Sequence, residues 1–184
     1  AVCDELHAAG ITLLEIPLNS PEALRSIELA SRHCQGRQLV GAGTVLTPAE
    51  VDGVAAAGGQ FIISPNTDHE VIWETVSCGL VSIPGFLTPS EAFTALKAGA
   101  HYLKLFPAGQ YGCSYIRDLR AVLKAPILAV GGVNAENLPE FLALCAGVGI
   151  GSALYKPGDS PADVGGKARA LAARCRAAAP PPSR

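Results

Sequence analysis

An eight-stranded α/β barrel is the fold class this sequence predicts, and three observations predict it. Short apolar runs alternate with helical patterns along the whole chain of 184 residues. The repeat is about 20–27 residues long, the period of a strand–helix unit in an α/β barrel or an open doubly wound sheet. Finally, the chain opens on the end of a helix, so the count is seven strands against eight helical segments.

The strands are read at "ITLLEIPL" (11–18), "QLVGAGT" (38–44), "QFIISP" (60–65), "LVSIPG" (80–85), "YLKLFP" (102–107), "PILAVGG" (126–132) and "GVGIGS" (147–152). Their apolar character is continuous rather than alternating, which suits parallel strands covered on both faces. Helix starts are marked by Ser20–Pro21, Thr47–Pro48 with Glu50, and Thr88–Pro89 with Glu91. A hydroxyl cap, a proline at the first helical position and an acid in the first turn form that signature. Gly10, Gly58 and Gly99 close the helices that precede strands. "AVCDELHAAG" reads as the end of a helix whose preceding strand is missing. Restoring that strand gives eight of each element, so the expectation is a TIM (β/α)8 barrel lacking its first strand. One barrel domain is expected over 1–178, with 179–184 a disordered tail.

Composition narrows the function. Apolar residues make up 49% and charged residues 16%, and the net charge is −2. Such a balance offers no footprint for nucleic acid or an anionic membrane. No apolar run reaches the roughly 18 residues of a membrane span, and the amino end lacks a signal-peptide pattern. A soluble, cytoplasmic protein is expected. The six cysteines are scattered without a C-x-x-C, and the four histidines lack ligand spacing. Reduced thiols and no metal site are therefore expected.

One residue is out of place. In "AHYLKLFPAG" (100–109), Lys104 stands among Leu103, Leu105 and Phe106. A buried ammonium is costly and tends to lose its proton, and a neutral amine is a nucleophile. In such barrels the active site lies at the carboxy-terminal ends of the strands. With the missing strand counted, Glu15 and Lys104 fall on the second and sixth strands, on opposite walls of one lumen. A carboxylate facing a neutral lysine suits iminium chemistry, in which the acid moves protons while the amine captures a ketone. A buried ion pair that merely holds the barrel together is the other reading. Strand position leaves both open.

Glycine-rich strand ends suit phosphate. "GGVNAENL" places Gly131 and Gly132 before a helix expected near Asn134, and "GIGSALY" places Gly149, Gly151 and Ser152 at the next strand end. Exposed backbone N–H groups at such ends bind phosphate, although glycines also simply make tight turns. "GAGT" is read as small residues packing in the barrel, "TDHE" as a helix cap, and Trp73 as core or interface.

"LLEIPLNSP", "GAGTVL", "SPN", "PGFLTPSEAFTALKAGAHYLKLFPA" and "AVGGVNAENL" with "GIGSALY" closely resemble the class I aldolases that cleave 2-dehydro-3-deoxy-6-phospho sugar acids. Within that group, "EIPLNSP" and "AVGGV" resemble the 2-dehydro-3-deoxy-6-phosphogalactonate aldolases. The gluconate enzymes usually carry "TLRTP" and a threonine where this chain has Val130. The resemblance implies a Schiff base on Lys104 and general acid/base work by Glu15. It places Thr44 near the substrate carboxylate, Pro65 and Phe106 along the keto acid, and Gly131, Gly132, Gly151 and Ser152 around the phosphate. It further implies a phosphorylated 2-keto acid as ligand, pyruvate and glyceraldehyde 3-phosphate as products, no metal or organic cofactor, and a cytoplasmic homotrimer. The family's first strand, with a substrate-contacting arginine, would lie ahead of Ala1. The epimeric gluconate aldolase, a sugar-phosphate isomerase and a truncated, non-catalytic phosphate-binding barrel are the competing expectations.

Overall fold

Local chemistry sets the helix starts. In a computed structural model, which describes residues 1–178, Thr47 and Thr88 each accept the amide of the residue three places on. The carboxylates of Glu50 and Glu91 reach back to the amides of Thr47 and Thr88, at 3.0 and 2.7 Å, completing two capping boxes. Each cap is worth about 1 kcal/mol. Asp68 caps the next helix through the amides of Glu70 and Val71, as "TDHE" suggested. Gly10, Gly58 and Gly99 follow helix ends with φ of +88°, +84° and +105°, a region glycine enters without strain.

The elements run α1 (Val2–Ala8), β1 (Leu13–Pro17), α2 (Ala23–Cys34), β2 (Leu39–Gly43), α3 (Pro48–Ala56), β3 (Phe61–Ile63), α4 (His69–Ser77), β4 (Val81–Ile83), β5 (Gly85–Phe86), α5 (Pro89–Lys97), β6 (Leu103–Leu105), α6 (Ala108–Arg120), β7 (Ile127–Val130), α7 (Leu138–Leu142), β8 (Gly147–Gly149) and α8 (Pro161–Ala178). All seven expected strands are present. The run at 80–85 is divided in two, because Pro84 has no N–H to give to a ladder. The start expected at Ser20–Pro21 is displaced. The Ser20 hydroxyl donates to the Pro17 carbonyl at 2.6 Å, closing a turn, and α2 begins only after Glu22, which holds a left-handed φ of +47°. The tail at 179–184 lies outside the described residues.

Contacts gather the chain into two compact units. The central unit, Thr12–Phe106, contains the parallel sheet β1-β2-β3-β4 and the parallel pair β5-β6. Its register sets Glu15 beside Gly41, Pro17 beside Gly43, Ala42 beside Ile62 and Gly85 beside Lys104. Helix α2 buries Ala23, Ile27, Ala30 and Cys34, one stripe at helical spacing that covers the sheet. Val40, Ala42, Val45, Val51 and Val54 are fully enclosed with them. Burial of side chains of this size supplies roughly 1.5–3 kcal/mol each.

The terminal unit joins Ala1–Ile11 to the segment from Pro107 onward. There β7 and β8 pair in parallel, with Val130 beside Gly149. Helix α8 lies along α1, burying Val164, Ala168 and Leu171, and Arg169 pairs with Glu5 at 3.1 Å. Arg120 holds this unit's loops by donating to the carbonyls of Ala125 and Leu144. All six cysteines are free thiols, and burial pushes Cys145 up to about 11. No described helix is long and apolar enough to cross a membrane.

Candidate active site

Strand β6 has three residues, and all three are buried, including Lys104 at 6% exposure. Its leucines anchor the strand, and the backbone N–H of Lys104 donates to the Pro84 carbonyl at 2.8 Å. The side chain of Lys104 is buried along with its two neighbours. Loss of hydration holds the Lys104 pKa below its ordinary 10.5, and the negative charge of Glu15 pulls it part of the way back. Nζ lies 5.0 Å from the centre of the Phe106 ring, whose face also favours a cation. Burial is the largest of these influences.

Glu15 sits on β1, in register with Gly41. By surface area the residue is exposed, yet protein atoms close around its carboxyl group. Water reaches one side of the group while β2 backs the other. Loss of hydration on the backed side raises its carboxyl above the ordinary 4.5, against an opposing pull from Lys104. Each of the two side chains lies within the electrostatic field of the other. A lysine biased towards its amine and a carboxylate biased towards its acid have the chemistry that a nucleophile and a proton shuttle require.

The central unit also holds Thr44, Pro65 and Phe106. Thr44 follows the last residue of β2 with φ of +57°, an outlier for a β-branched residue. Backbone strain of this kind clusters at functional sites. Pro65 is half-buried, and its carbonyl group lies so close to Gly85 that a Cβ there would overlap it. Because Gly85 pairs with Lys104, the bare glycine brings the Pro65 backbone towards the lysine strand. The Thr67 hydroxyl secures the approach by donating to the Gly85 carbonyl at 2.8 Å.

Gly131, Gly132, Gly151 and Ser152 lie in the terminal unit. Gly131 and Gly132 both take left-handed φ, +87° and +73°. The helix expected near Asn134 is not there: α7 begins at Leu138 and has five residues. The Asn134 side chain instead accepts the amides of Glu136 and Asn137, and the Asn137 amide group donates to the Gly132 carbonyl at 2.8 Å. These bonds make a capped turn, so any anion site at Gly131 and Gly132 rests on loop amides rather than a helix end. Gly151 and Ser152 are exposed in the loop after β8.

Two glycines have close neighbours that the sequence does not announce: Gly109, which the motifs leave out, and Gly43, which "GAGT" assigns to packing alone. The Gly109 amide donates to the Gly131 carbonyl at 2.8 Å, and a Cβ on Gly109 would stand 3.0 Å from that oxygen. Gly43 lies directly beneath the Glu15 carboxyl. The signal was a glycine at the end of β2 and another in the first turn of α6, both too common to separate close approach from a turn. Trp73 is 59% exposed, which removes the core reading and leaves the interface reading. Among the described residues, Asp52, Glu74 and Cys78 could bring three ligand atoms within 4.8 Å of one another. The Cys78 thiol has both acids within reach of its one proton, Glu74 at 3.4 Å and Asp52 at 3.8 Å, and burial first, then the acids, raise its pKa.

Comparison with known proteins bears on this geometry. The family profile for KDPG and KHG aldolase matches residues 1–161. The 2-dehydro-3-deoxy-6-phosphogalactonate aldolase of Escherichia coli (strain K12) is 48% identical over 155 residues, covering 83% of this chain and 76% of that protein. The chain belongs to the KDPG and KHG aldolase family. A solved structure described as native KDPGal superposes with a TM-score of 0.94 at 43% identity, over 96% of this chain and 87% of that one. The TIM-like α/β fold expected from the sequence is thus the fold of the family. A KDPG aldolase from Legionella pneumophila, 29% identical with a TM-score of 0.79, covers 97% of this chain and 86% of its own. That enzyme was captured with pyruvate as a covalent carbinolamine intermediate.

Proposed function

We propose that this chain is a class I aldolase that cleaves 2-dehydro-3-deoxy-6-phosphogalactonate to pyruvate and glyceraldehyde 3-phosphate. One observation carries the reading: a lysine held in an apolar strand, with its pKa depressed by burial and a carboxylate within its field. The similarity to a galactonate aldolase at 48% identity supports the choice of substrate.

The neutral amine of Lys104 attacks the C2 ketone, forming a carbinolamine. Glu15 gives a proton to the departing hydroxyl, and water leaves as the protonated imine forms. That cation draws the electron pair of the C3–C4 bond towards nitrogen. Glu15, now a carboxylate, accepts the proton of the C4 hydroxyl as the aldehyde departs. The resulting enamine takes a proton at C3, and hydrolysis of the imine frees pyruvate and the lysine. Each transfer switches Glu15 between acid and carboxylate, and the full cycle returns it to its starting state, so a group poised near its own pKa serves both directions. Phe106 would lie beside the cationic nitrogen, where a ring face favours positive charge. We assign Thr44 to the carboxylate end of the substrate, Pro65 and Phe106 to its carbon chain, and Gly131, Gly132, Gly151 and Ser152 to its phosphate. The reaction needs no metal and no organic cofactor.

The assay is release of pyruvate from each of the two epimers, coupled to lactate dehydrogenase. Higher kcat/KM on the galactonate epimer is expected. Preference for the gluconate epimer would reassign the substrate, and no pyruvate from either would leave the non-catalytic reading.

We further place the enzyme in the cytoplasm as a homotrimer. Trp73, Val76 and Phe93 on α4 and α5 of the central unit are 59%, 39% and 43% exposed, more large apolar surface than adjacent helices usually leave to water. Light scattering on purified protein should give about three times the chain mass of 18.9 kDa. A monomer mass that holds at micromolar concentration would contradict the trimer.

A further inference from the structure

Strand β2, "LVGAG", is bare on one face beyond Leu39. Gly41 and Gly43 are two residues apart and so share that face, while Ala42 between them is fully buried on the other. Neighbouring strands lean over the bare face from both sides. A Cβ on Gly41 would overlap the Phe61 ring and the Phe61 carbonyl. A Cβ on Gly43 would overlap the Glu15 Oε1 and stand 2.5 Å from Cδ and 2.9 Å from Cγ. Gly43 is buried and its φ is not left-handed, so backbone conformation does not call for glycine there. The space above it does.

We propose that Gly43 is a positioning residue for the proton transfers: its missing side chain forms the notch in which the Glu15 carboxylate lies across β2. The inference rests on the reading of Glu15 as the acid–base group. The two glycines differ in what they accommodate. Phe61 and its backbone cannot yield, so Gly41 serves the packing of β2 on β3. The carboxyl end of Glu15 is flexible and can swing aside, so a methyl group at 43 costs little stability but moves the group that carries the protons. A displacement of about 1 Å at a proton-transfer group costs up to about 100-fold in rate.

The register explains the direction of the lean. Glu15 pairs with Gly41, one pair earlier than Pro17 with Gly43 on the same face. Its side chain therefore runs forward along β2, towards the carboxy-terminal end where Thr44 stands. In this family of folds that end carries the chemistry. A β-carbon at 43 would turn the carboxylate back from it.

The test is a double-mutant cycle on kcat, with Gly43→Ala, Glu15→Gln and the pair together. Gly43→Ala is expected to lower kcat by about 10- to 100-fold, to keep its melting temperature within about 5 °C of the parent, and to retain the borohydride-trapped pyruvate adduct on Lys104. In the Glu15→Gln background the same change should alter kcat by less than about twofold, because the group it displaces no longer carries a proton. A folded Gly43→Ala enzyme with parental kcat would overturn the proposal, as would an equal loss in both backgrounds. If Glu15→Gln alone leaves kcat unchanged, the reading of Glu15 fails first and separately. If Gly43→Ala melts more than about 10 °C lower, Glu15→Ala added to it decides the matter. Recovery of the melting temperature supports the notch, and no recovery overturns it.

Discussion

Lys104→Ala is expected to lower retro-aldol turnover on the order of 10⁴-fold or more, since loss of a covalent nucleophile removes the reaction path rather than one contact along it. Loss of folding is not the expected cause. Lys104 carries a stability cost, and the sign follows from its pKa, which is lower in the folded chain than the ordinary 10.5. The folded state therefore binds this proton less tightly than the unfolded state does. Above pH 10.5 the group is neutral in both states and nothing is lost. As pH falls from 10.5 through the folded value, the cost grows, and below that value it is constant. Lys104→Met, which keeps the apolar stem and drops the charge, should accordingly melt at a higher temperature than the parent at neutral pH. The advantage should shrink above pH 10.5. Thermal melts of both variants across pH, beside the coupled pyruvate assay, check the two halves of this expectation. An inactive Lys104→Met that melts well below the parent would show that the amine is a structural partner rather than a strained nucleophile.

Glu15→Gln is expected to lower turnover by about 10² to 10⁴-fold, the range for loss of a positioned acid–base group. The imine should still form, more slowly, because the amine is untouched. This variant also makes a directional prediction about pH. On the acid side, kcat/KM falls as the free enzyme's Lys104 takes up its proton. The negative charge of Glu15 raises the pKa of Lys104. Removing that charge lowers it further, so the acid limb of the residual activity should move to lower pH. A limb that moves to higher pH, or turnover that does not fall, would separate Glu15 from the lysine it is assigned to serve.

What could be read from the amino acids, and what could not, divides by the range of the interactions involved. Thr47 with Glu50 and Thr88 with Glu91 were legible because a capping box is complete within four residues. Ser20 carried the same signal and failed, because its hydroxyl found the Pro17 carbonyl first. Asn134 caps a turn rather than a helix, and both arrangements begin with the same side chain accepting nearby amides. Pro84 divides a strand, yet Leu80–Gly85 reads as one apolar run because hydropathy does not register a missing N–H. Lys104 and Glu15 were legible for the opposite reason: a charge inside an apolar run has a cost that composition alone exposes. Gly43 was not. Its importance lies in the height of a neighbouring side chain above β2, and that height depends on a register that pairs residues 26 apart in sequence, Glu15 with Gly41 and Pro17 with Gly43.

The central claim is that Lys104 forms a covalent imine with a 2-keto acid. Reduction of the protein with borohydride in the presence of pyruvate, followed by peptide mass analysis, tests it directly. One reduced pyruvate imine should appear, on the peptide between Lys97 and Arg117 and on Lys104 within it. No adduct on a folded sample, or an adduct on Lys97, Lys124, Lys156 or Lys167 instead, would contradict the account.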